Sequence, residues 1–305
     1  MNIRRSARMD AGYALGLLAP LALAFAIAFT GSNQPLFLWM QHASHVIPTV
    51  VFASFWESAT YAGDGLAVFA LAALFLQSRP HAVWAAVFAA IPGAVFTHGL
   101  KALYPFARPA VVLGSKTITV LGPELHRSSF PSGHALSVAV LAGLVCLAYR
   151  NVAIRIAALA FAVLVSLSRV AVGVHWPFDI AVGFFGGWLA AWLGWICVVD
   201  APWFRTRQAS LIISVVLVGS AAALCFHPMG LPEAIVYRYA LALVAFVLAA
   251  ASVVRTAPVV TGSGRYAAAR FAAAAHLSGM TRRFIRGRFG GRAAAGPGAS
   301  PPAAR

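Results

Sequence analysis

The sequence predicts an all-α, polytopic membrane protein, a six-helix bundle followed by two additional C-terminal spans. Hydrophobic residues make up 61% of the 305-residue chain and charged residues only 10%, whereas a soluble domain carries about 25% charged residues. The apolar residues form long runs, and the short turns between alternate runs are basic. These observations indicate a chain whose solvent is the lipid bilayer.

Eight apolar runs predict the spans. They lie at about residues 11–30, 64–77, 81–104, 133–149, 152–167, 179–199, 210–226 and 235–254. The first run has the length of a membrane helix, so we interpret it as an uncleaved span and not as a signal peptide. Segment 31–63 mixes histidines with aromatic residues, which favours short helices at the membrane interface. We expect Trp56 in the interfacial aromatic belt and Asp64 as the N-cap of the second span.

The basic residues predict the orientation. With the N-terminus inside, the inner segments are those around Arg4, Arg79, Arg150 and Arg205, followed by the tail, as the positive-inside rule requires. We therefore expect a multi-pass protein of the cell inner membrane with both termini in the cytoplasm. The net charge of +16 fits anionic lipid headgroups at the tail better than nucleic acid.

The predicted organisation has three parts. They are a six-span core at residues 1–200, two additional spans at 201–254, and a basic, largely disordered cytoplasmic tail at 255–305. The sequence does not set the oligomeric state.

Three polar clusters interrupt the apolar sequence, and the topology places all of them at one face of the membrane. Residues 101–109 end the third span, residues 130–134 begin the fourth, and residues 168–179 join the fifth to the sixth. We therefore expect one shared site on the periplasmic or extracytoplasmic face.

The cations of these clusters indicate an anionic ligand. Lys101, Arg108 and Arg169 have few acids nearby in the sequence, and a charge at the end of an apolar helix marks a functional site unless it is paired or hydrated. Arginine forks match phosphate geometrically. The alternative for a single cation is contact with lipid headgroups.

The second cluster has two interpretations. Ser132 stands just ahead of an apolar helix, where Ser is a favourable N-cap. The free N–H groups there, including that of Gly133, also bind anions. Capping alone accounts for Pro131 and Ser132, but it does not account for His134.

The third cluster contains a candidate nucleophile. His175 and Asp179 are spaced i, i+4, so on a helix they would share a face. Asp179 would then hold one imidazole nitrogen and leave the other free to act as a nucleophile or base.

Taken in order, Lys-x6-Arg-Pro, Pro-Ser-Gly-His and Ser-Arg-x5-His-x3-Asp resemble the signature of the type 2 phosphatidic acid phosphatase superfamily. The resemblance implies metal-independent hydrolysis of a phosphate ester or anhydride, without a cofactor, through a phosphohistidine on His175. It implies that Asp179 orients His175 and that His134 protonates the leaving group. The implied phosphate-binding residues are Lys101, Arg108, Ser132, Gly133 and Arg169.

Several alternatives stay open at this point. The substrate could be phosphatidate, phosphatidylglycerophosphate or undecaprenyl diphosphate, and the phosphoryl group could pass to a lipid instead of water. From a different class, the cations could serve an anion or lipid transporter. We expect His98 to be a packed helix histidine that could otherwise line the site, and the loop with Lys116, His126 and Arg127 to be either a lid or a solvated loop.

Overall fold

The computed structural model describes residues 9–125 and 128–256. Within these residues the secondary structure consists of eleven α-helices and short 3₁₀ turns, without strands, which confirms the all-α prediction. The helices are α1 (Ala11–Thr30), α2 (Asn33–Ser44), α3 (Thr49–Tyr61), α4 (Gly65–Leu71), α5 (Pro80–Leu103), α6 (Pro109–Leu113), α7 (Gly133–Ala148), α8 (Val152–Ala171), α9 (Pro177–Val198), α10 (Arg207–Leu224) and α11 (Ile235–Thr256).

Six of the described helices are long and apolar enough to cross a membrane, namely α1, α5, α8, α9, α10 and α11, the last counted from Pro232. The second predicted span is α4 with the 3₁₀ turn Ala72–Phe75, and it is bent by 79° from α3. The fourth predicted span is α7, which has only 16 residues, about 24 Å of helix. The chain is therefore a multi-pass membrane protein in which two of the eight predicted spans are irregular.

Helix α7 lies in the middle of the bundle. It packs against α9, α8 and α5, and most of its residues are buried. Two glycines of α9 allow the backbones to touch. A Cβ at Gly183 would lie 2.4 Å from the carbonyl oxygen of Ser132, and one at Gly187 would lie 2.1 Å from that of Leu136. Small residues at such contacts are what hold membrane helices close together.

Helix α1 packs on α9 through a reciprocal pair of hydrogen bonds. The hydroxyl of Tyr13 donates to the Trp188 carbonyl at 2.7 Å, and the indole of Trp188 donates to the Tyr13 carbonyl at 2.9 Å. Asp10 caps α1 and forms an ion pair with Arg155 at 2.8 Å. The hydrogen bond from Arg155 holds the pKa of Asp10 below its usual value.

The structure confirms one local prediction and corrects two. Asp64 caps α4, since its carboxylate accepts from the N–H groups of Leu66 and Ala67. Trp56 is not a belt residue, because it is buried among Ala171, Val172 and Val174. Helix α8 continues one turn beyond the predicted end at residue 167. The tail predicted from residue 255 lies outside the described residues from 257 onward.

Candidate active site

Four helix ends meet at one end of the bundle and carry the three polar clusters. These are the C-terminal ends of α5 and α8 and the N-terminal ends of α7 and α9. Hydrogen bonds between the clusters hold them together. Ser132 N donates to the Asp179 carbonyl at 3.0 Å, and Ser129 N donates to the Phe106 carbonyl at 2.8 Å. The indole of Trp176 donates to the Ala107 carbonyl at 2.8 Å, so each cluster is tied to another.

His175 lies in the turn between α8 and α9, not on a helix, which corrects the reason given for its pairing with Asp179. Asp179 stands in the first turn of α9 and accepts from the backbone N–H of Trp176 at 3.0 Å. This bond folds the chain back, so that Asp179 Oδ2 lies 3.5 Å from His175 Nδ1. Both side chains are almost fully buried, at 4% and 1% exposure. The pair is therefore formed by helix capping and not by a shared helix face.

Ser129 completes this pair, and the sequence reasoning missed it. Its hydroxyl donates to Asp179 Oδ2 at 2.5 Å and lies 3.4 Å from His175 Nδ1. The side chain is fully buried. A serine in a loop carries no spacing signal, and nothing in the sequence separates it from its neighbour Ser128 except its closeness to the Pro-Ser-Gly-His motif.

Arg108 and Lys101 approach the histidine from the first cluster. Arg108 Nη1 donates to the Val174 carbonyl at 2.7 Å and lies 3.5 Å from His175 Nε2. Lys101 Nζ donates to the carbonyls of Ser128 and Ser129 at 3.0 and 3.4 Å. Both cations thus donate to the loop that carries Ser129, Arg108 through the Ser128 carbonyl at 3.3 Å, and Arg108 also lies on the Nε2 side of the imidazole.

Arg169 adds a third cation beneath the histidine. It is buried, its Nη1 donates to the hydroxyl of Thr60 on α3 at 2.5 Å, and its backbone carbonyl accepts from His175 N at 3.2 Å. Its Nε is buried with no hydrogen-bond partner among the described residues. Thr60 is a second contact that sequence reasoning missed, because α3 lies outside all three clusters.

These surroundings keep the imidazole neutral. Burial lowers the pKa of His175 well below 6.5, and the positive charges of Arg169, Arg108 and Lys101 lower it further. Removal from water disfavours the charged form of a histidine, and nearby cations act in the same direction. A neutral imidazole oriented through Nδ1 leaves a lone pair on Nε2, the atom beside Arg108.

The second cluster lies at the N-terminus of α7. Ser132 is its N-cap, since the hydroxyl accepts from Ala135 N at 3.4 Å, so capping does account for this residue. His134 Nε2 is buried and makes no hydrogen bond within the part of the chain described. Gly133, His134 and Lys101 line a cavity of about 770 Å³ between α4, α5, α7 and α10. The structure thus brings all eight predicted site residues to one end of the bundle.

Two further predictions can be compared with the structure. His98 is not a packed residue, because it is exposed and lines the same cavity. Beyond Lys116 the loop is fastened at Thr119, whose backbone pairs with the buried side chain of Gln41 at 2.9 and 3.1 Å. His126 and Arg127 lie outside the described residues.

Among the described residues, no three His, Cys, Asp or Glu side chains are grouped as metal ligands would be. The positive charge near His175 comes from Lys and Arg side chains. The predicted site residues therefore offer phosphate oxygens cationic side chains and a helix N-terminus.

Comparison with known proteins gives four results. The family model of the PAP2 superfamily matches residues 82–203, which include all three clusters. An undecaprenyl-diphosphatase of Sulfolobus acidocaldarius is 41% identical over 80 residues, 26% of this chain and 36% of that protein. Undecaprenyl-diphosphatase BcrC of Bacillus subtilis is 31% identical over 144 residues, 46% of this chain and 69% of that protein. The crystal structure of Aquifex aeolicus LpxE aligns with 53% of this chain and 93% of its own, at a TM-score of 0.47 and 25% identity.

Proposed function

This chain belongs to the PAP2 superfamily, and we propose that it is an integral membrane phosphatase that releases phosphate from a lipid phosphate or diphosphate. The proposal rests above all on one observation. The buried His175 has its Nδ1 3.5 Å from Asp179 Oδ2 and its Nε2 3.5 Å from Arg108 Nη1.

The reaction has two steps. In the first, His175 Nε2 attacks phosphorus, the bond from phosphorus to the leaving oxygen breaks, and His134, which enters this step protonated, donates its proton to that oxygen. In the second, His134 takes a proton from water, the water oxygen attacks phosphorus, and the phosphorus–nitrogen bond breaks. Free phosphate leaves, and both histidines return to their starting states.

The cations stabilise the charge on the phosphoryl group during the reaction. Charge spreads over the three equatorial oxygens during phosphoryl transfer, so positioning and charge stabilisation supply most of the catalysis. Lys101, Arg108 and Arg169 supply this positive field, and the N–H of Gly133 with the N-terminus of α7 adds a further donor. Because these groups are part of the chain, we propose that the reaction requires no metal ion.

The substrate is a lipid because the site opens to a cavity that runs along α5 within the membrane-spanning part of the protein. We favour an isoprenoid diphosphate over phosphatidate or phosphatidylglycerophosphate, since two curated relatives carry the name undecaprenyl-diphosphatase. The positive-inside pattern supports a site on the periplasmic face of the inner membrane, with both termini in the cytoplasm.

The test is phosphate release by the detergent-solubilised protein from undecaprenyl diphosphate, with His175→Ala and His42→Ala compared with the parent. His42 is an exposed histidine of α2 and serves as the matched control. We expect His175→Ala to lose turnover and His42→Ala to keep it. With labelled substrate, quenched protein should carry an acid-labile phosphoryl group that is absent from His175→Ala. Phosphate release by His175→Ala at the parental rate would overturn the proposal. Phosphoryl label appearing on an added acceptor lipid would identify transfer instead of hydrolysis.

A further inference from the structure

The cavity at the site has two chemically different ends. Lys101, His98 and His134 line its upper end, beside the N-terminus of α7. Its lower end reaches Ala86 and Val87 of α5, fifteen residues or about 22 Å down the helix. The walls there are apolar and made largely of small residues of α5. A polar mouth above a long apolar slot has the form that a phosphorylated lipid with an extended chain would occupy.

A helix beyond the family match contributes one residue to the lining of this slot. The PAP2 match ends at residue 203, and Val216, near the middle of α10, lines the cavity opposite α5. The site residues all lie within the matched segment. The site residues thus depend on the matched segment alone, whereas the slot is lined by α5 and α7 of that segment and, outside it, by α4 and Val216.

Helix α10 is held in place at both ends. At the inner end, the indole of Trp84 on α5 donates to the Ala209 carbonyl at 3.1 Å. At the outer end, the hydroxyl of Tyr61 on α3 donates to the His227 carbonyl at 2.6 Å. A buried hydrogen bond of 2.9 Å between Ser214 and Ser252 joins α10 to α11. Helix α10, which carries Val216, is therefore bonded to α5 and α11, and the residues after it are bonded to α3.

We propose that this slot binds the apolar chain of the lipid substrate and that Val216 determines how long or bulky a chain can be accepted. The inference rests on the proposed function and adds to it the residue that sets chain selectivity. A lipid chain that enters the slot leaves one apolar medium for another, so it gains little hydrophobic energy. The slot therefore selects by steric fit, and the phosphate site supplies the affinity.

A second cavity, of about 560 Å³, lies between α1, α8 and α9 and does not reach the candidate active site. None of the predicted site residues lines it. A lipid chain in the slot beside α10 would have its phosphate next to Lys101, Gly133 and His134, and the second cavity offers none of these residues, so the slot is the one assigned to the substrate.

The experiment compares Val216→Trp with Val215→Trp, using isopentenyl diphosphate and geranylgeranyl diphosphate as short and long substrates. Both valines are exposed on α10, Val215 at 55% and Val216 at 45%, but only Val216 lines the cavity. We expect Val216→Trp to lower the ratio of long-chain to short-chain kcat/KM by about 10- to 200-fold, the range that steric misfit in an apolar pocket produces. Val215→Trp should keep the parental ratio.

The possible results separate the two proposals. Isopentenyl diphosphate has a chain too short to extend along the slot. Phosphate release from it, by the parent and by Val216→Trp, therefore tests the proposed reaction independently of chain binding. An unchanged ratio in Val216→Trp overturns the inference while the proposed function stands. An equal loss with both substrates also overturns it, because the substitution would then act on the site or the fold. A parent that releases no phosphate from either diphosphate or from undecaprenyl diphosphate removes the proposed function and the inference with it.

Discussion

Ser129→Ala is the substitution that best tests how the candidate nucleophile is held. The serine hydroxyl donates to Asp179 Oδ2 at 2.5 Å and lies 3.4 Å from His175 Nδ1. Without it, Asp179 keeps the backbone bond from Trp176 at 3.0 Å but loses the contact that fixes the carboxylate beside the imidazole. We therefore expect a fully folded protein whose histidine is less well oriented.

The size of the effect follows from the type of bond. A hydrogen bond to a charged group contributes about 1.5–3 kcal/mol, and about 1.4 kcal/mol corresponds to a tenfold change in rate. If the hydrogen bond from Ser129 to Asp179 contributes its full free energy to the transition state, its removal in Ser129→Ala should lower kcat by about 10- to 150-fold. The retained bond from Trp176 favours the lower part of this range. KM should change little, because Ser129 contacts the partner of the nucleophile and not the phosphate.

The control is Ser128→Ala. The hydroxyl of the half-buried Ser128 donates to the carbonyls of Tyr104 and Phe130 at 3.2 and 3.4 Å. Its backbone carbonyl, which accepts from Lys101 and Arg108, is kept in the variant. Steady-state kinetics of phosphate release on both variants, with melting temperatures in the same detergent, provide the comparison. If Ser129→Ala and Ser128→Ala have the same kcat, the positioning role of Ser129 is refuted.

Three further outcomes are expected. Arg169→Gln removes a cation that lowers the pKa of His175, so that pKa rises and the acidic limb of kcat/KM against pH moves to higher pH; an unmoved limb contradicts the electrostatic reasoning. Gly183→Ala places a methyl group 2.4 Å from the Ser132 carbonyl oxygen and should lower the free energy of unfolding by about 1–3 kcal/mol, measured as a lower melting temperature. The control is Gly219→Ala, whose methyl group would meet no neighbouring side chain or helix within 4 Å, so the melting temperature should stay nearly unchanged. Dialysis against EDTA should leave phosphate release intact, and a loss restored by Mg²⁺ would count against a metal-independent reaction.

The sequence predicted the convergence of the clusters because that property depends only on chain topology. Successive spans alternate in direction, so the end of the third, the start of the fourth and the turn after the fifth must lie on one side. The bounds of α1 and α7 were also predictable, since long apolar runs with clear breaks leave little freedom.

The missed features depend on contacts between distant parts of the chain. Ser129 and Thr60 are ordinary hydroxyl residues, and only the folded chain shows that they meet Asp179 and Arg169. The burial of Trp56 was missed for the same reason, because an aromatic residue near a membrane interface has the same local sequence whether it faces lipid or protein. The spacing of His175 and Asp179 predicted that their side chains lie close together, and they do. The structural cause, however, is the capping hydrogen bond from Trp176 and not a shared helix face.

The backbone contacts between α7 and α9 have a consequence for how this protein can vary. Ser132 N is bonded to the Asp179 carbonyl, and the Ser132 carbonyl rests on Gly183. The two histidines are therefore spaced by a packed pair of helices and not by the length of any connecting loop. New contacts on α10, which lies beyond the family match, can therefore change which lipid chains fit the slot while the distance between the reacting groups is preserved. Selectivity and reactivity are thus free to diverge independently in this architecture.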